Sequence, residues 1–326
     1  MASLLESFGS MVTPDAVGSV AKSLGLDPNL VSKGMGVVGP LLTTGLAKAA
    51  GSNEGLSSLM NLLPKESTDD VMGLIKGVAG TPEGQQKLDE VMNLAFGGGA
   101  GTATRSIDKA LGFPASGLLV AAVPMVMNLI KKSSTSGNLD ANGVAKMLQD
   151  DAKAFTEKGG PEADIVKGAW DNVDNLNKLK ARFTEKELGA IGGAPLAAAG
   201  LVMAASPSKG SGAVAELTAA AQSIGEAEDR AGGVSLVDLL PKMSQADFDA
   251  YMSTPDDSML GTIKNAVAAV AAKAPEHAAG YRSFLLTLSN NVANATKEGG
   301  FLGIGGKAVS DAEAAALATI QAAVEG

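Results

Sequence analysis

Apolar residues recur along this chain at intervals of three and four, the spacing that gathers them on one face of a helix. Thr81-Pro82-Glu83 reads as a capping residue followed by proline at the first helical position, and Leu88, Val91, Met92 and Ala95 then share a face. Between residues 162 and 183, Val166, Trp170, Val173, Leu176 and Phe183 form a stripe among Asp, Asn and Lys, which predicts an amphipathic helix joining two halves of the chain. Met259, Ile263, Val267 and Val270 make a further stripe, Tyr281, Phe284, Leu288 and Val292 another, and Leu317, Ile320 and Val324 the last. Pro275 separates the first two of these and predicts a helical hairpin. Thr184/Glu187, Thr254/Asp257 and Ser310/Glu313 each head such a run and predict capping boxes, in which a hydroxyl and a carboxylate three residues on satisfy free backbone donors.

Two runs break this amphipathic pattern. Residues 110–130, inside "KALGFPASGLLVAAVPMVMNLIKK", and residues 188–208, "LGAIGGAPLAAAGLVMAASPS", each hold 21 residues without a charge. About 20 apolar residues suffice to cross the hydrocarbon of a bilayer, so each run poses the choice between a membrane span and a buried helix. The first has a counterpart upstream. "SVAKSLGLDPNLVSKGMGVVGPLLTTGLAK" (Ser19 to Lys48) and "TRSIDKALGFPASGLLVAAVPMVMNLIKK" (Thr104 to Lys132) share a short helix, Leu-Gly-apolar, a Pro-containing turn, and an apolar helix with one internal Pro and a closing Lys. In the upstream copy the uncharged part shrinks to Gly34–Ala47, too short to span. Proline also removes a backbone donor that hydrocarbon cannot replace. The second run is mostly Gly and Ala, with Pro195 in the middle, and gains little from lipid. Both runs are therefore expected to be helices buried in protein, with membrane association through 110–130 and 188–208 as the alternative.

Composition narrows the class. Aromatic residues are 3 % of the 326, and Ala, Gly, Leu, Val and Met supply the apolar bulk, which suits close helix packing better than sheets. The expectation is an all-α protein of two multihelical Gly/Ala-rich domains, the first with the internal pseudo-repeat. Their boundaries are 1–155, a connecting amphipathic helix over 156–183, and an acidic helical bundle over 184–326. Residues 1–155 carry 12 basic against 14 acidic side chains and residues 156–326 carry 14 against 21, net −2 and −7. No dense Lys/Arg cluster occurs, which argues against nucleic acid or an anionic bilayer as the main partner. The absence of cysteine excludes disulfides, thiolate metal sites and a thiol nucleophile. The start, "MASLLESFGSMVTPD", lacks a basic leader and a sustained apolar core, so a cytoplasmic location is expected.

Candidate chemistry is thin. In "NLDANGVAKMLQD", Asn138, Asp140, Asn142 and Gly143 fall at positions one, three, five and six of a calcium loop, but Gln149 stands where a bidentate Glu should close the shell. Asp140 as N-cap of a helix packing Val144, Met147 and Leu148 accounts for the same residues without an ion. "EGGFLGIGGKAVS" fails as a phosphate loop, because Phe301 and Ala308 occupy the required positions around Lys307. "SPSKGSG" at residues 206–212, with Lys209, reads as an ordinary capped start of a helix over 213–224 rather than an anion site. His277, the single histidine, follows Pro275 in a first helical turn with no nucleophile motif in view. Asp150/Asp151 and Asp256/Asp257 read as helix-terminal carboxylates that offset the helix dipole. No catalytic, cofactor-binding or metal-ligating residue is assigned.

Residues 1–155 resemble the YidB-like family of bacterial domains of unknown function, through "SLGLDPNLVSKGMGVVGPLLTTGLAK" and "GFPASGLLVAAVPMVMNLIKK…GNLDANGVAKMLQ", which are similar to that family's Gly/Ala-rich helices with a mid-helix proline and a late "LDxxGxxxxL" segment. The resemblance implies a soluble multihelical domain and no known activity. The final "VSDAEAAALATIQAAV" is distantly similar to all-helical TerB-like domains, and no functional residue carries over from either. The expected function is non-enzymatic: a cytoplasmic bacterial protein acting through other proteins or copies of itself. Membrane association or calcium-like metal binding are the alternatives.

Overall fold

The computed structural model describes residues 3–79, 81–205, 211–230, 236–239, 256–295 and 309–326. Every regular element among them is helical, and the chain divides into two compact units, Met1–Asp174 and Asn175–Gly326. The first unit begins with α1 (Leu4–Met11), α2 (Pro14–Leu24), α3 (Pro28–Ala49), α4 (Asn53–Leu62) and α5 (Val71–Ala79). It continues with α6 (Pro82–Phe96), α7 (Ala100–Leu111), α8 (Ser116–Ser136), α9 (Ala141–Lys158) and the first part of α10 (Pro161–Lys180). The second unit takes the rest of α10, then α11 (Glu185–Ala205), α12 (Ser211–Arg230), a 3₁₀ turn at Leu236–Leu239, α13 (Asp256–Lys273), α14 (Pro275–Ala293) and α15 (Asp311–Glu325). The unit boundary thus falls inside α10, within the stretch expected to connect two domains.

In the first unit α3 is the axis, packed by α1, α2, α4, α6, α8 and α9. Its entry is set by sequence: Gly25 ends α2 at φ 66°, Asp27 accepts the Asn29 N–H at 2.8 Å, and Pro28 fills the first helical position. The turn between α7 and α8 repeats the glycine cap, with Gly112 at φ 78°. There α8 takes its cap from a distance, the Asp108 carboxylate accepting the Ala115 N–H. This turn cuts the first uncharged run. Residues 110–115 finish α7 and make the turn, and α7 and α8 meet at a 114° bend. Near the other end of the run, Asn128 is buried and clamps the backbone of one residue, accepting from the Thr68 N–H and donating to the Thr68 carbonyl, both at 2.8 Å.

Trp170 ties α10 to this core. Its indole N–H donates to the Leu41 carbonyl at 3.2 Å, its ring stacks on Phe96 with centroids 5.3 Å apart, and Lys48 covers it 4.5 Å from the ring centre. Gly45 leaves the room: a Cβ there would lie 2.8 Å from both Trp170 Cζ2 and the Ala95 carbonyl oxygen.

In the second unit the axis is α11, packed by α12, α13, α14 and α15. Gly192, Gly193, Ala194, Ala197, Ala198 and Gly200 are all buried, so α11 presents small residues nearly all round and its neighbours approach closely. The Thr184/Glu187 and Ser310/Glu313 boxes are formed, while Thr254 lies outside the described residues. The stripes read from sequence on α13, α14 and α15 are the buried faces, and α13 and α14 form the hairpin at Pro275.

By length and composition α3 and α11 are each able to cross a membrane, and α7 with α8 would be if the bent pair counted as one span. Within their own units, 72 % of the apolar window of α3 and 61 % of that of α11 are buried. The contacts that lipid would supply are largely made by sister helices.

Two expectations follow. Gly45→Ala should destabilise the first unit, because overpacking costs roughly 1–3 kcal/mol, more than the ~1 kcal/mol that alanine gains in a helix interior. Gly36→Ala in the same helix, where a Cβ meets nothing within 4 Å, should instead stabilise. Opposite shifts in denaturant midpoint check this pair, and a loss at both positions would contradict the packing described. The second concerns acid. Glu187 accepts from Lys273 at 2.6 Å and from the Thr184 N–H at 2.7 Å, and the Lys273 ammonium first, then the Thr184 N–H, hold its carboxyl down at about 2 against an ordinary 4.5. The stabilisation is present above pH 4.5 and lost as the pH falls towards 2. Thermal melts in that window should show Glu187→Gln with a flatter pH dependence than the parent chain.

Candidate functional site

Helix α1 is short, and an isolated helix of two turns does not hold in water. Three devices fix it. Ser3 and Glu6 form a capping box, the Glu6 carboxylate accepting the Ser3 N–H at 2.9 Å. Leu4 and Phe8, one turn apart, are buried, with the Phe8 ring against Gly39 of α3. Asp151, from the middle of α9, accepts the Leu4 N–H at 2.5 Å. Asp151 is therefore not a helix-terminal carboxylate of its own helix, as its sequence neighbourhood suggested. Its counterpart is the start of another helix, 147 residues away. Asp150 beside it faces outward and pairs with Lys146 at 2.9 Å.

Docked in this way, α1 leaves a groove of about 550 Å³ between itself, α3 and α9. Its floor is apolar: Leu5, Phe8, Met35, Pro40 and Phe155. Gly9 and Gly36 also line it, and a Cβ on either would meet no atom within 4 Å, so the missing side chains deepen it. Gly36 is exposed there, and Pro40, which has no N–H, leaves the Gly36 carbonyl without its helical donor. At one end of the groove stand Glu6 and Asp151, and at the other Lys158, two turns further along α9. Neither carboxylate meets a cation at ion-pair distance among the described residues.

Asp151 carries the electrostatic tension. Burial pushes its carboxyl above the usual 3.8, the Leu4 and Leu5 N–H groups partly oppose this, and the Glu6 and Asp150 charges raise it further. The groove thus joins an apolar floor to an acceptor-rich end whose two carboxylates accept from the start of α1 and have no ion-pair partner among the described residues. That combination suits an apolar group with a positively charged donor beside it.

Asp151 apart, the residues singled out from sequence for chemistry lie elsewhere. Asp140 caps α9, accepting the Gly143 N–H at 2.8 Å, so the helix begins where a calcium loop would still be wrapping its ion. Asn138 sits at φ 48° before that cap, and Asn142 and Gln149 are on the helix itself. Among the described residues no three His, Asp or Glu side chains are placed to hold a metal. His277 lies half-buried in the first turn of α14, beside Glu276, which accepts from Arg182 at 2.5 Å. Asp256 and Asp257 occupy the first turn of α13. Phe301, Lys307 and Ala308, and Ser206 to Lys209, lie outside the described residues. Apart from Asp151, the groove residues form no chemical motif in the sequence. The signal of α1 itself was there in Ser3-Leu4-Leu5-Glu6, a capping box heading apolar residues at helical spacing.

Residues 6–133 match the family described as bacterial protein of unknown function (DUF937), which is the YidB-like family. The match runs from α1 almost to the end of α8, so it includes two walls of the groove and not α9. No curated protein and no solved structure matches the chain.

Because the raised Asp151 carboxyl binds its proton more tightly in the folded chain, its stabilising contribution is present below pH 3.8 and is lost as the pH rises through the raised value. Asp151→Asn keeps an oxygen for the Leu4 N–H and removes the charge. It should melt no lower than the parent at pH 7 and should lose the relative gain the parent makes towards pH 4. A markedly less stable variant at pH 7 would mean that the charge itself holds α1.

Proposed function

We propose that this chain is a non-catalytic cytoplasmic binding protein that works by contact with other proteins, copies of itself included. The observation that carries this reading is the groove beside α1, with aromatic and methionine side chains on its floor and charge at its rim. Leu5, Val12 and Phe155 are half-buried in this open depression, above the buried Phe8 and Met35. Aromatic and methionine side chains are the residues enriched where proteins meet. Leu24 and Leu30, exposed at the turn between α2 and α3, add a smaller apolar spot on the same unit.

A second reading, membrane association, draws on α3 and α11, whose length and apolar character suffice for a span. Against it stands the use of both helices as the packed axes of their units.

Light scattering coupled to size exclusion across micromolar concentrations, together with co-purification from the source cell, tests the proposal. Self-association or a stoichiometric protein partner is expected. A strict monomer that co-purifies with nothing would sink it, and protein retained on membranes after high-salt and carbonate washes would favour the second reading.

A further inference from the structure

We infer that the groove between α1, α3 and α9 binds an amphipathic helical segment of a partner protein, seating its apolar residues on Leu5 and Phe155, above the buried Phe8 and Met35, and a lysine or arginine against Glu6 and Asp151. The inference rests on the protein-binding reading above and specifies the partner's chemistry.

Shape and charge lead to it separately. The depression is of the size that takes a few side chains, and its walls are three helices, the setting in which a helix face lays residues spaced by three and four into a trough. Leu4 and Phe8 of α1 already use that spacing against α3 in the neighbouring position, so this surface accommodates an apolar pair one turn apart. Gly9 and Gly36 keep the floor open.

The charge selects the occupant. Glu6 and Asp151 adjoin, and the two lysines that flank Asp151 on α9, Lys146 and Lys153, pair with Asp150 and Glu157. Lys158 lies seven residues beyond Asp151, about 10 Å along the helix, so among the described residues no cation pairs with the acidic end. The Gly36 carbonyl adds an acceptor. A basic side chain entering there gains two carboxylates and relieves their mutual repulsion, whereas an acidic one meets both. The polarity also orients the guest, its basic residue at the Asp151 end and any carboxylate towards Lys158.

The test uses the full chain and a pair of capped, alanine-based helical peptides of about ten residues. Each has two leucines four residues apart. One carries lysines beside them and the other glutamates. The readout is the ¹³C-methyl resonance of Met35, buried on the groove floor and assigned by Met35→Leu. The lysine peptide should shift it, with affinity at least about tenfold above that of the glutamate peptide at low salt. Glu6→Gln with Asp151→Asn, which keeps the capping box and the acceptor for Leu4, should bring the two peptides within about threefold. Gly36→Leu should abolish the shift with no fall in melting temperature. Equal shifts from both peptides, a shift that survives Gly36→Leu, or none at millimolar lysine peptide would overturn the inference. A chain that self-associates in light scattering yet ignores the lysine peptide loses this inference alone and keeps the reading beneath it.

Discussion

A proline in the middle of a buried helix leaves one carbonyl with no donor, and all three long apolar helices of this chain contain one: Pro40 in α3, Pro124 in α8 and Pro195 in α11. An unpaired carbonyl inside a dry core costs about 1–3 kcal/mol, so each has to be answered by something outside the helix. In α11 the orphan is Ile191, and the Tyr281 hydroxyl of α14 donates to it at 2.6 Å. In α3 the orphan is Gly36, and the answer is to leave it open on the groove. In α8 it is Val120, on a half-buried turn. The mid-helix prolines thus stand either where a neighbouring helix donates, as in α11, or where the freed carbonyl lies at a position that is not fully buried, as in α3 and α8.

The wrapping helices are short, and their ends need partners as well. Two of these come from far along the chain or across a turn: Asp108 to the start of α8 and Asp151 to the start of α1. Such caps couple a helix to its position in the fold, because the donor is satisfied only when the helix is docked. For α1 the coupling is especially direct. Its own box holds the Ser3 end, while Asp151 and the Phe8 seat over Gly39 fix where it lies, and the groove exists only because it lies there.

Much of this architecture could be read from residue pattern. The stripes on α10 and α13 to α15, the caps at Thr81, Asp140, Thr184 and Ser310, and the hairpin at Pro275 follow from local rules that tertiary structure left in force. The all-α class followed from composition. What could not be read were relations across distance. Asp150 and Asp151 look alike in sequence, yet one forms a local surface pair and the other caps a helix 147 residues away. The turn inside the uncharged run at 110–130 was legible from its glycine and proline, whereas the clamp of Asn128 on Thr68, 60 residues upstream, left no local sign. The groove was illegible for the same reason: its three walls come from separate parts of the chain, and its depth comes from two glycines whose absent side chains leave no mark on periodicity.

Glu187 and Asp151 show how differently two capping carboxylates are surrounded in this chain. Both accept the backbone N–H of a helix start, so the capping geometry is shared. Glu187 also has the Lys273 ammonium at 2.6 Å, and its carboxyl is held down at about 2. Asp151 has no such cation; it has Glu6 and Asp150 instead, and burial with their charges drives its carboxyl upward. A fold that needed Asp151 only as a cap would lose little by replacing it with asparagine, since the N–H asks for an oxygen and not for a charge. The charge is thus an expense the cap does not require, at the end of an open apolar groove, and a basic group arriving from outside would turn it into an attraction.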